Sequence, residues 1–161
     1  MTKYILFSII FFTQALPAAE LKCFFEEVYS NGQTQQGYLL IKNDKMRYQY
    51  NDQNLYTIIH NQNNFYVVEN RDLTKFTLLD QKTETLSEII KIVNDYPNFK
   101  NFYEANDIQI NLEKTKDKNF IKRLAIISAN TNMSIYLYSC QNILIKDMYF
   151  SFSPIFQFNE N

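Results

Sequence analysis

Glycine is nearly absent from this chain: two residues among 161, Gly32 and Gly37. Neither lies in a motif that wraps phosphate in bare backbone N–H groups, which excludes the P-loop and dinucleotide-binding classes. Tryptophan is missing, and histidine occurs once, as His60 at a strand end beside a polar turn. One histidine and two cysteines form no ligand-spaced cluster, so neither a metal nor another cofactor is expected. No Gly-x-Ser-x-Gly elbow is present. Glu26 and Glu27 project to opposite faces of a strand and cannot act as a close pair. Catalytic groups are therefore not assembled, and the chain is expected not to be an enzyme. Charge of one sign is also lacking, since 16 basic side chains face 17 acidic ones with no long block of either. A neutral chain lacks the electrostatic term that dominates nucleic-acid affinity, so nucleic acid is not an expected partner.

Long hydrophobic runs are few. The apolar stretch Tyr4–Phe12 follows Lys3 and precedes the small residues Ala15-Leu16-Pro17-Ala18-Ala19. It falls short of the roughly 20 residues a spanning helix needs, and its order is that of a cleaved secretory signal. Residues 1–19 are thus expected to be removed, leaving a single exported domain over 20–161. The residues before Cys23 make a poor lipid-attachment motif, so Cys23 is not read as acylated. Cys23 and Cys140 leave two readings open. One is a disulfide closing a long loop, with an entropic contribution on the order of 4–5 kcal/mol. The other is a pair of buried thiols.

Aromatic residues are abundant, and Phe and Tyr supply all of them. Between Leu21 and Asp80 they fall in short apolar groups, Phe24-Phe25, Leu39-Leu40-Ile41, Ile58-Ile59, Phe65-Tyr66-Val67-Val68 and Leu78-Leu79. A strand with one wet face alternates apolar and polar, so these doublets predict strands buried on both sides. The links are too short for parallel crossovers, which makes the sheet an antiparallel meander. Its predicted strands are Leu21–Tyr29, Thr34–Lys42, Lys45–Tyr50, Leu55–His60, Asn64–Glu69 and Lys75–Asp80, with Asn31-Gly32 as the strongest hairpin signal. A sheet apolar on both faces must be covered on both. If it curls, one face can line a cavity suited to a greasy ligand.

The period then changes. Leu86, Ile89, Ile90 and Val93 fall on one side of a predicted helix, with Thr83 or Thr85 as cap and Pro97 beyond its end. The stretch Asn98–Ala105 extends this cover or forms a loop. Strands resume at Ile108–Leu112, Arg123–Ser128 and Ser134–Ser139, and a final pair is predicted at Ile143–Lys146 and Tyr149–Ser153.

Three stretches in this order resemble the periplasmic lipoprotein carrier family (LolA-like). They are Leu40 to Tyr50, with Arg47-Tyr48-Gln49-Tyr50 in place of the family's Arg-Trp-Glu-Tyr, then Ile59 to Glu69, then Tyr149-Phe150-Ser151-Phe152-Ser153-Pro154. The chain departs from the family at the short turn Asn43-Asp44, near Gln62, and in having no helix before the first strand. The resemblance implies a mostly β (α+β) fold: an incomplete antiparallel barrel or strongly curved sheet, with a helical lid over an apolar cavity. It implies a monomeric periplasmic carrier that binds the acyl chains of lipoproteins. Its partners would be acylated lipoproteins, an inner-membrane exporter and an outer-membrane receptor. The expected cavity residues are Phe25, Tyr48, Tyr50, Tyr56, Phe65, Phe76, Phe150 and Phe152. Arg47 is expected to bond lid carbonyls, with Leu86, Ile89, Ile90 and Val93 forming the lid itself. The same residues admit two other readings, a general lipid or hydrophobic-ligand barrel and an interaction module burying its second apolar face on a partner.

Overall fold

Ten antiparallel strands form one curved, unclosed sheet in the computed structural model, which describes residues 20–79, 84–96, 98–116, 120–129 and 131–151. The expected signal segment lies outside them. Strands β1 (Glu20–Tyr29), β2 (Thr34–Lys42), β3 (Lys45–Tyr50), β4 (Tyr56–Asn61), β5 (Asn64–Glu69) and β6 (Phe76–Leu78) make the first meander. After helix α1 (Glu84–Asn94), strands β7 (Phe102–Ala105), β8 (Ile108–Lys114), β9 (Ile121–Ile127) and β10 (Asn132–Asn142) make the second. The order across the sheet is β6-β5-β4-β3-β2-β1-β10-β9-β8-β7. Every neighbouring pair is consecutive in sequence except β1 and β10. That seam alone joins the meanders, and β6 and β7 form the two edges.

Turn chemistry follows the polar links. Gln62 and Asn63 both take positive φ, +50° and +64°, as a tight two-residue hairpin between twisted strands requires. In the Asn31-Gly32 hairpin only Gly32 is left-handed, at φ +83°, because the loop is longer than two residues. Asn43 (φ +53°) turns β2 into β3. Gly37 is needed for space instead: a Cβ there would lie 1.9 Å from the Gln49 carbonyl oxygen and 2.5 Å from the Phe25 ring.

The two faces are covered differently. On the concave face, Leu21, Cys23 and Phe25 of β1 share one buried cluster with Leu39, Ile41, Tyr48, Phe65, Ile110, Leu124 and Leu137. Ile92 of α1 is buried in this cluster, while Leu86, Ile89 and Ile90 pack against it partly exposed. On the outer face, Tyr38 and Leu40 are covered by Ile145 and Phe150.

Of the predicted terminal strand pair, Ile143–Lys146 is not a strand and Tyr149 and Phe150 lie in a 3-10 turn, while Phe152 and Ser153 fall outside the described residues. Instead β10 runs on to Asn142, and a strap follows that ends in the short 3-10 turn Asp147–Phe150. Among the described residues no strand pairs with the strap, and side chains satisfy part of its backbone. Lys42 Nζ donates to the Ile145 carbonyl at 2.7 Å, and the Ile145 N–H donates to Glu20. The stretch Asn98–Ala105 also resolves, with Phe102–Ala105 forming β7. Thr85 lies inside α1, whereas Thr83 and Pro97 are outside the described residues.

Cys23 and Cys140 are bonded across the seam, 117 residues apart in sequence. The β1–β10 register slips between Lys22 and Phe24, so that both Ser139 and Cys140 stand opposite Cys23. Ser139 absorbs the extra residue with φ +49°, the signature of a bulge. Cys140 is thereby returned to the concave side that Cys23 occupies. Replacing both cysteines by alanine is expected to cost about 3–5 kcal/mol in urea unfolding, since the crosslink closes most of the domain. An unchanged midpoint would mean that the ladder and core packing alone hold the seam.

Candidate functional site

Strand alternation decides which predicted residues meet. The pairing of Tyr48 with Ile58, and of His60 with Phe65, places Phe25, Tyr48, Tyr50, Tyr56 and Phe65 on the concave face, the side on which α1 packs. Phe25 stacks on Tyr48 with ring centroids 3.9 Å apart. Tyr50 stands edge-on to both rings and again to Tyr56, which lies exposed at the rim.

Phe76 and Phe150 are elsewhere. Phe76 pairs with Val68 on the outer side of the edge strand β6, and Phe150 is buried in the outer cluster under the strap. Phe152 and the side chain of Val93 lie outside the described residues. The five concave aromatics therefore form one wall, and Phe76 and Phe150 do not belong to it.

Arg47 also faces outward, because Met46 and Tyr48 on either side of it face in. It is only 4 % exposed. Its Nε and Nη2 donate to Gln49 Oε1 at 2.9 and 2.7 Å, and its Nη1 donates to the Tyr149 carbonyl at 3.0 Å. The expected bond to a backbone carbonyl exists, but it holds the C-terminal strap rather than the helix. Asn61 Nδ2 adds a second hold on the Phe150 carbonyl at 3.2 Å. Arg47→Leu is expected to cost about 2–3 kcal/mol through the lost donors. Amide exchange should quicken over 145–151 and stay unchanged in α1. Faster exchange in α1 alone would return Arg47 to the helix.

Sequence reasoning passed over Glu27. It occupies the inward register after Leu21, Cys23 and Phe25, and is 3 % exposed. Tyr48 Oη donates to its Oε1 at 2.7 Å, Tyr50 Oη reaches both oxygens at 3.0 and 3.1 Å, and Tyr29 Oη donates to Oε2 at 2.6 Å. Among the described residues no lysine or arginine pairs with it. Desolvating a carboxylate costs several kcal/mol, while each hydrogen bond to a charged group returns about 1.5–3. One phenol would not offset the burial; three do. The available signal was an acid in a core-facing position with a tyrosine two residues further along its own strand and two more at inward positions of β3.

The phenols feel the same site. Burial first, and then Glu27, pushes the Tyr48, Tyr50 and Tyr29 hydroxyls above the ordinary tyrosine range. A phenol that keeps its proton longer when folded stabilises the fold fully below its unfolded pKa near 10. That contribution is lost as pH rises past 10. Tyr48 alone is expected to remove about 1.4 kcal/mol of stability per pH unit in that range. Tyrosinate absorbance should rise together with loss of structure. Ionisation of all tyrosines near pH 10 with the fold intact would contradict the cage.

His60 lies near the end of β4 and is buried, with Nδ1 2.6 Å from the Asp44 carbonyl and its ring 4.6 Å from that of Phe65. It braces the β2–β3 turn. Among the described residues no group of three or more His, Cys, Asp or Glu side chains is placed to hold a metal ion, and no helix is long and apolar enough to cross a membrane.

What the concave face offers chemically is an apolar wall with a phenol-capped carboxylate, against part of which helix α1 packs. Compared with known proteins, the chain matches no family model and no curated sequence.

Proposed function

We propose that this protein is a carrier of acylated ligands, lipoproteins in the first instance, which holds their acyl chains against the concave face beneath α1. The observation that carries the reading is the asymmetry of the helix. Leu86, Ile89 and Ile90 cover the concave cluster but remain partly exposed, while Ile92 is buried in it. The described wall is packed, with Phe25 and Tyr48 in ring contact, so chains enter by displacing the helix rather than by filling a permanent void. The magnitudes allow it. Fully burying a leucine or isoleucine side chain is worth about 1.5–3 kcal/mol, and three of the four are only partly buried. Each methylene transferred from water contributes about 0.8 kcal/mol, so two acyl chains offset the lost helix contacts with energy to spare. A lid that opens also allows release.

In this reading the sheet is an incomplete barrel, α1 is its lid, and the compartment is the periplasm. The helix-side aromatics Phe25, Tyr48, Tyr50, Tyr56 and Phe65 are the cavity wall. Exchange with an exporter and a receptor would follow from carrying a cargo that water does not dissolve.

Native mass spectrometry with a synthetic diacylated lipopeptide tests the proposal. A one-to-one complex is expected with the acylated peptide and none with its deacylated form. Ile90→Asp, on the partly exposed side of α1, is expected to weaken binding at least tenfold while the far-ultraviolet spectrum stays native. Equal retention of both peptides would sink the carrier reading. So would an empty homodimer, which would give the apolar face to a second chain.

A further inference from the structure

A second concavity lies where the C-terminal turn of α1 meets β7. It is a cleft of about 420 Å3, within the range of small-ligand sites, and both signs of charge line it. Glu88 forms its buried carboxylate, 4 % exposed, paired with Lys91. Lys100 stands at the same cleft, and among the described residues no carboxylate lies within ion-pair distance of it. Glu104 is exposed and holds only Gln109 Nε2, at 3.1 Å.

The cleft connects to the concave core through Tyr103. Its ring belongs to the buried cluster, while its hydroxyl donates to Asp95 Oδ2 at 2.9 Å and accepts from the Lys100 backbone N–H at 3.0 Å. Burial first, and then Asp95, pushes that hydroxyl up to about 12. Beside it Phe102 is 44 % exposed and adds apolar surface at the rim.

This charge pattern narrows the ligand. A bare anion would meet Glu88, Asp95 and Glu104. A bare amine would meet Lys91 and Lys100. A group carrying both signs a few ångströms apart satisfies each set, and the adjoining apolar surface favours one attached to hydrocarbon.

We propose that the cleft binds the zwitterionic head group of an amphiphile, a phosphate bearing a primary amine. The phosphate sits on Lys100 and Lys91, and the ammonium on Glu88 and Glu104. This rests on the carrier reading, since the chains attached to that head pass over Tyr103 onto the concave face.

Calorimetric titration of the purified protein separates the two ideas, using ligands below their micellar concentrations. The probes are dihexanoyl phosphatidylethanolamine, dihexanoyl phosphatidylglycerol, O-phosphoethanolamine and decanol. The ethanolamine lipid is expected to bind at least tenfold tighter than the glycerol lipid. Glu104→Gln should bring that ratio toward one. Lys100→Met should weaken both lipids by a similar factor of at least five. Equal binding of the two lipids overturns the head-group proposal, as do variants that leave both affinities unchanged. O-phosphoethanolamine matching the lipid overturns it too, because the chains would then contribute nothing. Decanol binding without head-group preference removes this proposal alone. Failure of decanol and both lipids removes it together with the carrier reading.

Discussion

The seam between β1 and β10 is the constraint on which this molecule depends. Every other ladder joins strands adjacent in sequence, so each forms as a local hairpin at small loop-closure cost. The seam joins residues more than a hundred positions apart, and only it turns two meanders into one curved sheet. The Cys23–Cys140 bond spans it, and the bulge at Ser139 adjusts the register so that both cysteines share the inner face. Without the seam, Leu137 and Leu124 of one meander do not face Phe25 and Tyr48 of the other, and the concave core has no second wall.

Once the sheet is joined, its inner face holds both the apolar core and the buried carboxylate of Glu27. Glu27 is held by phenols rather than by a cation. Tyrosine suits the role because its ring adds to the apolar wall while its hydroxyl satisfies the acid. A lysine or arginine in the same register would bring a second charge to desolvate. The cage therefore fixes Tyr48 and Tyr50 in place and couples β1 to β3 across the intervening β2.

The two coverings of the sheet differ in kind. The outer strap is pinned by directed polar contacts from Glu20, Lys42, Lys45, Arg47 and Asn61, added to the burial of Ile145 and Phe150. The helix relies on apolar contacts, buried at Ile92 and partly exposed at Leu86, Ile89 and Ile90, supplemented near its C-terminal end by Asp95 and Tyr103. Apolar contacts are non-directional and can be exchanged for hydrocarbon of another source. Geometric hydrogen bonds cannot. In the carrier reading the helix is accordingly the part that yields to a ligand, and the strap is the part that stays.

Local pattern in the sequence was enough for the meander through β5, the amphipathic helix and β8, β9 and β10 after it, because period-2 and period-3.6 spacing together with Asn-rich turns act over a few residues. It did not show β7, and it predicted a strand at Ile143–Lys146 that the strap replaces. It was also enough to require covers on both faces, since doublets such as Leu39-Leu40 and Ile58-Ile59 leave neither side wet. What it did not determine was which long-range partners those faces meet. Arg47 was expected from the family resemblance to bond carbonyls of the lid, yet its partner proved to be the strap, because strand parity sends it away from Tyr48. Phe76 and Phe150 have the composition of cavity residues but sit on the outer face, Phe76 through the same parity and Phe150 because the strap that carries it crosses that face. The disulfide was one of two open readings until the bulge at Ser139 set the register, and Glu27 became a site only when three tyrosines from two strands converged on it. Short-range periodicity fixes which residues share a strand face. Which face turns inward, and what closes over it, is decided by the one pairing that spans the whole chain.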